Sequence, residues 1–130
     1  MSQDLQQQLL KRPDVNSVGV AYDAILLSGV ADAVQQASKS GQNYVLTGGE
    51  GSDAAMDYVR KGVVAAGVGL DNEWEGWSGV DNLNRLFQDA PTASSGIGIE
   101  IYDEEHNMPE SGPFVSKIDY KSAYLKGWGK

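Results

Sequence analysis

Cysteine is absent from the 130 residues and histidine occurs once. The first absence removes disulfides, thiolate metal sites and Cys nucleophiles, and the second removes histidine relays and multi-histidine metal centres. No Ser-His-Asp constellation can be assembled from this inventory, so neither an enzyme nor a bound cofactor is expected. No apolar run approaches the length needed to span a bilayer, and Met1-Ser2-Gln3-Asp4-Leu5 lacks the basic stretch and apolar core of a signal peptide. Cations are also scarce: 10 Lys and Arg stand against 18 Asp and Glu, a formal net charge of -8. That charge repels phosphate backbones and anionic lipid, so nucleic acid is not an expected partner, and it fits a solvated, aggregation-resistant surface.

What is present is 41% hydrophobic residues in a repeating rhythm. Length and composition predict one compact domain over residues 1–130. Short apolar runs alternate with amphipathic stretches in the order α-β-α-β-α-β-α-β-α, the pattern of an α/β fold with a parallel, three-layer, Rossmann-like sheet. Leu5, Leu9 and Leu10 mark an opening helix closed by Pro13. Strands are predicted over 15–22, 44–47 and 63–70. The helix after the first strand is expected to carry Ala24, Leu27, Ala31, Val34 and Ala37 inward and to end at Gly41. Ser52 caps the next, and a third, from about Glu73 to Phe87, is expected to turn Trp77, Val80, Leu83, Leu86 and Phe87 to the core. Ile97, Ile99 and Ile101 alternate with Gly98, Glu100 and Tyr102, which predicts an edge strand with the isoleucines inside. A loop at 103–113 leads to a short helix capped by Asp119.

In a parallel sheet, ligands bind outside the carboxyl ends of the strands. Each predicted strand is followed by an acid, Asp23, Glu50, Asp71 or Asp103, so one rim is expected to gather four carboxylates suited to vicinal hydroxyls. Capping of the next helix is the competing role, and Asp23 and Asp71 stand where a cap belongs. Gly48-Gly49-Glu50-Gly51-Ser52 fits a tight strand-to-helix turn better than a phosphate cradle, because Glu50 places a negative charge at its centre and no Lys follows. Trp74 lies near a helix start and can stack on a sugar face, whereas Trp77 and Trp128 suit core packing. His106 and Asn107 fall in the acidic loop after the last strand, where His106 can bind a cation together with the acids or be held by hydrogen bonds.

Several segments resemble one family. Pro13 to Ala24 (PDVNSVGVAYDA) is similar to the segment of ribose-binding-like periplasmic proteins in which a helix ends, a strand follows and an Asp opens a helix. Val45 to Gly51 (VLTGGEG), Val59 to Val68 (VRKGVVAAGV) and Gly76 to Asp81 resemble its downstream motifs. Asp103 to Pro109 and Ile118 to Gly129 resemble the C-terminus of a larger subgroup of sugar-transport receptors. By this resemblance the chain is a partial C-terminal lobe of a type 1 periplasmic sugar-binding protein, a receptor for an ABC uptake transporter. Its ligand is then a monosaccharide or polyol, its partners the receptor's N-terminal lobe and a membrane permease, and its compartment the periplasm. Glu50 falls on the family's sugar-binding Asp, Tyr22 on a frequent Asn contact, and Leu70 on a polar contact that leucine does not supply. With the early strands of the lobe lacking, an exposed sheet edge is expected to drive homo-oligomerisation. Two other readings are a receiver-like acidic pocket holding magnesium and an oligomeric remnant that binds nothing.

Overall fold

The structure is a computed structural model describing residues 2–130. Its elements run α1 (Ser2–Lys11), β1 (Ser17–Val20), α2 (Asp23–Ile25), a kinked segment (Leu26–Val30), α3 (Ala31–Ser38), β2 (Val45–Gly48), α4 (Asp53–Arg60), β3 (Ala66–Gly69), α5 (Asn72–Phe87), β4 (Glu100–Asp103) and α6 (Tyr120–Gly127). The chain is therefore mixed α/β in the expected element order. The described residues fall into two compact units. The first comprises residues up to Gly69 together with Glu100–Phe114, and the second comprises Leu70–Ile99 with Val115–Lys130.

In the first unit a four-stranded sheet has the order β1-β2-β3-β4. β1, β2 and β3 are parallel, as successive strand–helix–strand units require, but β4 is antiparallel to β3. The sheet is thus mixed, which corrects the expectation of a wholly parallel one. The register of β4 is set by the inner face of β3, where Gly67 and Gly69 supply no side chains. The antiparallel register pairs Gly67 with Tyr102, and a Cβ at Gly67 would collide with the Tyr102 ring. Phe114 fills the corresponding space over Gly69.

The same gap reverses the phase predicted for the last strand. Tyr102 is fully buried, while Ile99 and Ile101 are 70% and 67% exposed. Two glycines side by side need an aromatic ring to fill the space above them, and that requirement outweighs burial of two isoleucines. On the inner face Leu46 and Tyr102 join Leu26, Val30, Val34, Met56 and Val59 in one core cluster. On the opposite face Val45, Val68 and Ile101 remain exposed.

Helix ends follow their local chemistry. The Ser52 hydroxyl accepts from the Ala55 amide and caps α4, and the Asp119 carboxylate accepts from the Ser122 amide and caps α6. Between α2 and α3 the chain kinks at Gly29, whose φ of 108° is not helical, and Leu26 and Val30 face the core while Leu27, expected inside, is exposed.

The second unit holds α5 and α6, and here the expected inward stripe is corrected. Val80, Leu83, Leu86 and Phe87 are all exposed, and the buried residues of α5 are Trp74, Ser78 and Asp81. The cause is the aromatic ladder of α6. Tyr120 stacks on Trp74 at 4.9 Å and Trp128 stacks on Trp77 at 5.5 Å, which turns the Trp74–Asp81 face towards α6.

Candidate functional site

The strand ends of the first unit bring together Tyr22, Asp23 and Glu50. β1 ends at Val20 and β2 at Gly48, and these residues are partners in the parallel register. The turn after β2 passes through Gly48, Gly49 and Gly51 at φ 124°, 97° and 93°, angles that are strained for residues bearing a Cβ. This is the tight strand-to-helix turn expected from the sequence. Its fold depends on Asp23, which is buried. One carboxylate oxygen accepts from the Glu50 amide at 2.6 Å and the other from the Ser52 amide at 2.7 Å. Asp23 therefore does not cap the helix it opens, as one expectation had it; the turn after β2 takes both of its oxygens.

Locking the Glu50 amide places the Glu50 side chain at the carboxyl end of the parallel strands. The residue is half-buried, and its carboxylate takes no hydrogen bond among the described residues. Tyr22, adjacent to Asp23, is 57% exposed. Tyr22 precedes Asp23 in the chain and the Glu50 amide is bonded to the Asp23 carboxylate, so the same strand ends carry a half-buried carboxylate acceptor and an accessible phenol, groups suited to a hydroxyl-bearing ligand. Beneath the rim Tyr102 closes the floor: its hydroxyl flanks Gly49, as does Asp23. Burial, reinforced by the Asp23 carboxylate, pushes the Tyr102 hydroxyl up to about 12. Nothing in the periodicity singled out Tyr102. The Gly67-x-Gly69 pair, which demands an aromatic partner, was the available signal.

The other expected site residues lie elsewhere. Because β4 runs antiparallel, Asp103 pairs with Ala66, the first residue of β3, so it sits at the amino end of that strand and not at its carboxyl end. The single four-carboxylate rim is thereby corrected. His106 and Asn107 follow Asp103 in the same loop. The Asp103 carboxylate accepts from the amides of Glu105 and His106 and lies 2.9 Å from His106 Nδ1, a contact that holds Asp103 below its ordinary range. Asn107 adopts φ 54° and donates from Nδ2 to the Ile101 carbonyl. This loop is gripped from α4 by Arg60, whose Nη2 donates to the carbonyls of Pro109 and Gly112 while Nη1 pairs with Asp57.

Asp71 and Trp74 belong to the second unit. Asp71 is buried and caps α5, as one of its two expected roles requires, by accepting from the Trp74 amide at 3.0 Å. Its other oxygen accepts from the Ser116 amide. Trp74 is 7% exposed and stacked on Tyr120, so neither ring face is open. Among the described residues, no group of three or more His, Asp or Glu is placed to hold a metal ion, and no helix is long and apolar enough to cross a membrane. The chain matches no protein-family model and no curated protein.

Proposed function

We propose that this chain is a carbohydrate-binding module related to the C-terminal lobe of ribose-binding-like solute receptors, and that it carries out no chemistry. The observation carrying the reading is the Asp23-locked turn, which fixes Glu50, with its unpaired carboxylate, at the strand ends where the exposed Tyr22 precedes Asp23. Glu50 accepts from adjacent sugar hydroxyls and Tyr22 packs against the ring. A second lobe buries the remaining face of the sugar, and in the periplasmic setting of the related receptors the closed pair docks on an ABC permease. Calorimetry against a panel of monosaccharides tests this. Saturable heat is expected, lost in Glu50→Ala and weakened in Tyr22→Ala, with both variants keeping their far-UV circular dichroism. Absence of heat from every sugar with folded protein would sink the reading.

A second reading, an oligomeric module without ligand, is favoured by the state of the sheet. β1 pairs only with β2, and a groove of about 290 Å³, lined by Leu5, Val18, Val20, Ile25 and Val30, lies alongside it. A second copy of the chain pairing along the β1 edge covers this groove and extends the sheet towards a Rossmann-like arrangement. Sedimentation velocity distinguishes the states: a dimer that Val18→Lys dissociates supports this reading, and a monomer at all concentrations removes it.

A further inference from the structure

The second unit contains a cavity of about 340 Å³ between α5, the turn at 93–95 and α6. That is the lower end of the range of roughly 300–1,000 Å³ typical of small-molecule sites, and it suits one ring rather than a chain of rings. Trp74, Tyr120 and Tyr124 form apolar walls, and Arg85, Ser94 and Ser95 contribute polar groups. The turn is held in place beforehand: Asn82 donates to the Ala93 carbonyl at 3.1 Å and accepts from the Ala93 amide at 2.8 Å.

Two features of this cavity lack a protein counterpart. Trp74 is 7% exposed, yet its Nε1–H is buried without a hydrogen-bond partner. Such an unmet donor is a cost to the fold unless something else accepts from it. Arg85 is the other. Its Nε donates to one Asp81 oxygen at 2.6 Å, and the second Asp81 oxygen accepts from Trp128 Nε1 at 2.8 Å. Both oxygens of Asp81 are thereby used in orienting the guanidinium, whose terminal Nη groups have no partner among the described residues. Ser94 and Ser95 accept through their hydroxyl oxygens from the amides of Gly96 and Ile97, which leaves both O–H groups free to donate.

Charge decides the class of occupant. Asp81 neutralises Arg85, and Asp119 on the cavity wall adds one negative charge, so a carboxylate or phosphate is disfavoured. A cation is disfavoured too, because the groups that lack partners are donors. A neutral molecule rich in oxygen acceptors, with an apolar face for Tyr124, satisfies both conditions. We infer that this cavity binds a neutral, hydroxyl-bearing ring of single-monosaccharide size, held by the Arg85 Nη groups and the Ser94 and Ser95 hydroxyls. The ligand class is the one proposed for Tyr22 and Glu50, but the residues are different and lie in the other unit.

The indole N–H of Trp74 gives a direct readout. In ¹H–¹⁵N spectra of the full chain its signal is identified by its loss in Trp74→Phe, then followed during titration with glucose, ribose and myo-inositol. At least one of these is expected to move it saturably. Arg85→Gln should weaken that ligand roughly tenfold, the loss of a charge-assisted hydrogen bond. Ser95→Ala serves as a second, milder variant and should also weaken it. A shift that persists in Glu50→Ala supports the cavity as a site of its own, whereas a shift abolished there overturns it. No response to any neutral ring, a response only to benzoate, or a response unchanged in both Arg85→Gln and Ser95→Ala also overturns it.

Discussion

Asp23 and Glu50, 27 positions apart, are joined by a 2.6 Å hydrogen bond from the Glu50 amide to the Asp23 carboxylate. The second carboxylate oxygen holds Ser52 in the same way. Hydrogen bonds to a charged acceptor are worth about 1.5–3 kcal/mol each, so Asp23→Ala is expected to cost about 3 kcal/mol and Asp23→Asn, which keeps one acceptor oxygen, about half as much. Urea denaturation of the three proteins measures the order.

Gly67 lies against the Tyr102 ring with no space for a methyl group. Gly67→Ala is expected to destabilise by about 2–3 kcal/mol through overpacking. Tyr102→Phe keeps the ring in place and is expected to stay close to the parent in thermal melts. Equal losses in the two variants would show that the hydroxyl, rather than the fit of the ring, matters.

Alkaline behaviour follows from the same residue. The hydroxyl of Tyr102 is raised to about 12 by burial first and by Asp23 second. An unfolded tyrosine ionises near 10, so the unfolded chain loses this proton earlier and stability falls as pH rises from about 10 towards 12. Tyr102→Phe should lack this part of the alkaline loss, which denaturation curves at pH 9 and pH 11 would reveal.

At the acid end the relevant group is Asp81, held below its ordinary value by the Arg85 hydrogen bond and then by that of Trp128. A depressed carboxylate contributes stability that is fully present above its unfolded value of about 3.9 and lost as pH falls through the folded value. Near-UV circular dichroism of the tryptophans should therefore change below about pH 4, and Asp81→Asn should show a weaker signal already at neutral pH with no acid step.

Arg60 fastens the 103–113 loop to α4 through two carbonyls. Arg60→Ala is expected to cost about 1–3 kcal/mol and to make that loop the first site of proteolytic cleavage. Limited proteolysis with mass spectrometry checks it; an unchanged first cut elsewhere would show that Phe114 alone anchors the loop.

Much of the architecture was legible in the residues because capping and turn chemistry are local. Ser52, Asp71 and Asp119 each cap the helix they precede, and Gly41 and Gly62 follow helix ends at φ 98° and 67°. The phase of β4 and the face of α5 were not legible, because each is set by a distant partner. Tyr102 turns inward for Gly67, and Trp74 turns towards Tyr120. Of the seven expected site residues, the rim retains Tyr22, Asp23 and Glu50. Asp71 serves its own helix, and the direction of β4 carries the loop of His106 and Asn107 past the amino end of β3. The unfilled donors beside Arg85 were equally hidden, since a cavity is a property of packing and leaves no periodic trace.

The direction of β4 also bears on the order of assembly. The β1–β2 and β2–β3 pairings lie earlier in the chain and span fewer positions than β3–β4, so they can form in sequence as the chain emerges. β4 reaches β3 only after the whole of Leu70–Ile99 has been synthesised, and its pairing closes the longer excursion. Tyr102 is thus the last large side chain delivered to the first unit's core from the sheet, and until it arrives the space over Gly67 stays open to water. Pulse-labelled hydrogen exchange should find the β3–β4 amides protected later than those of β1 and β2.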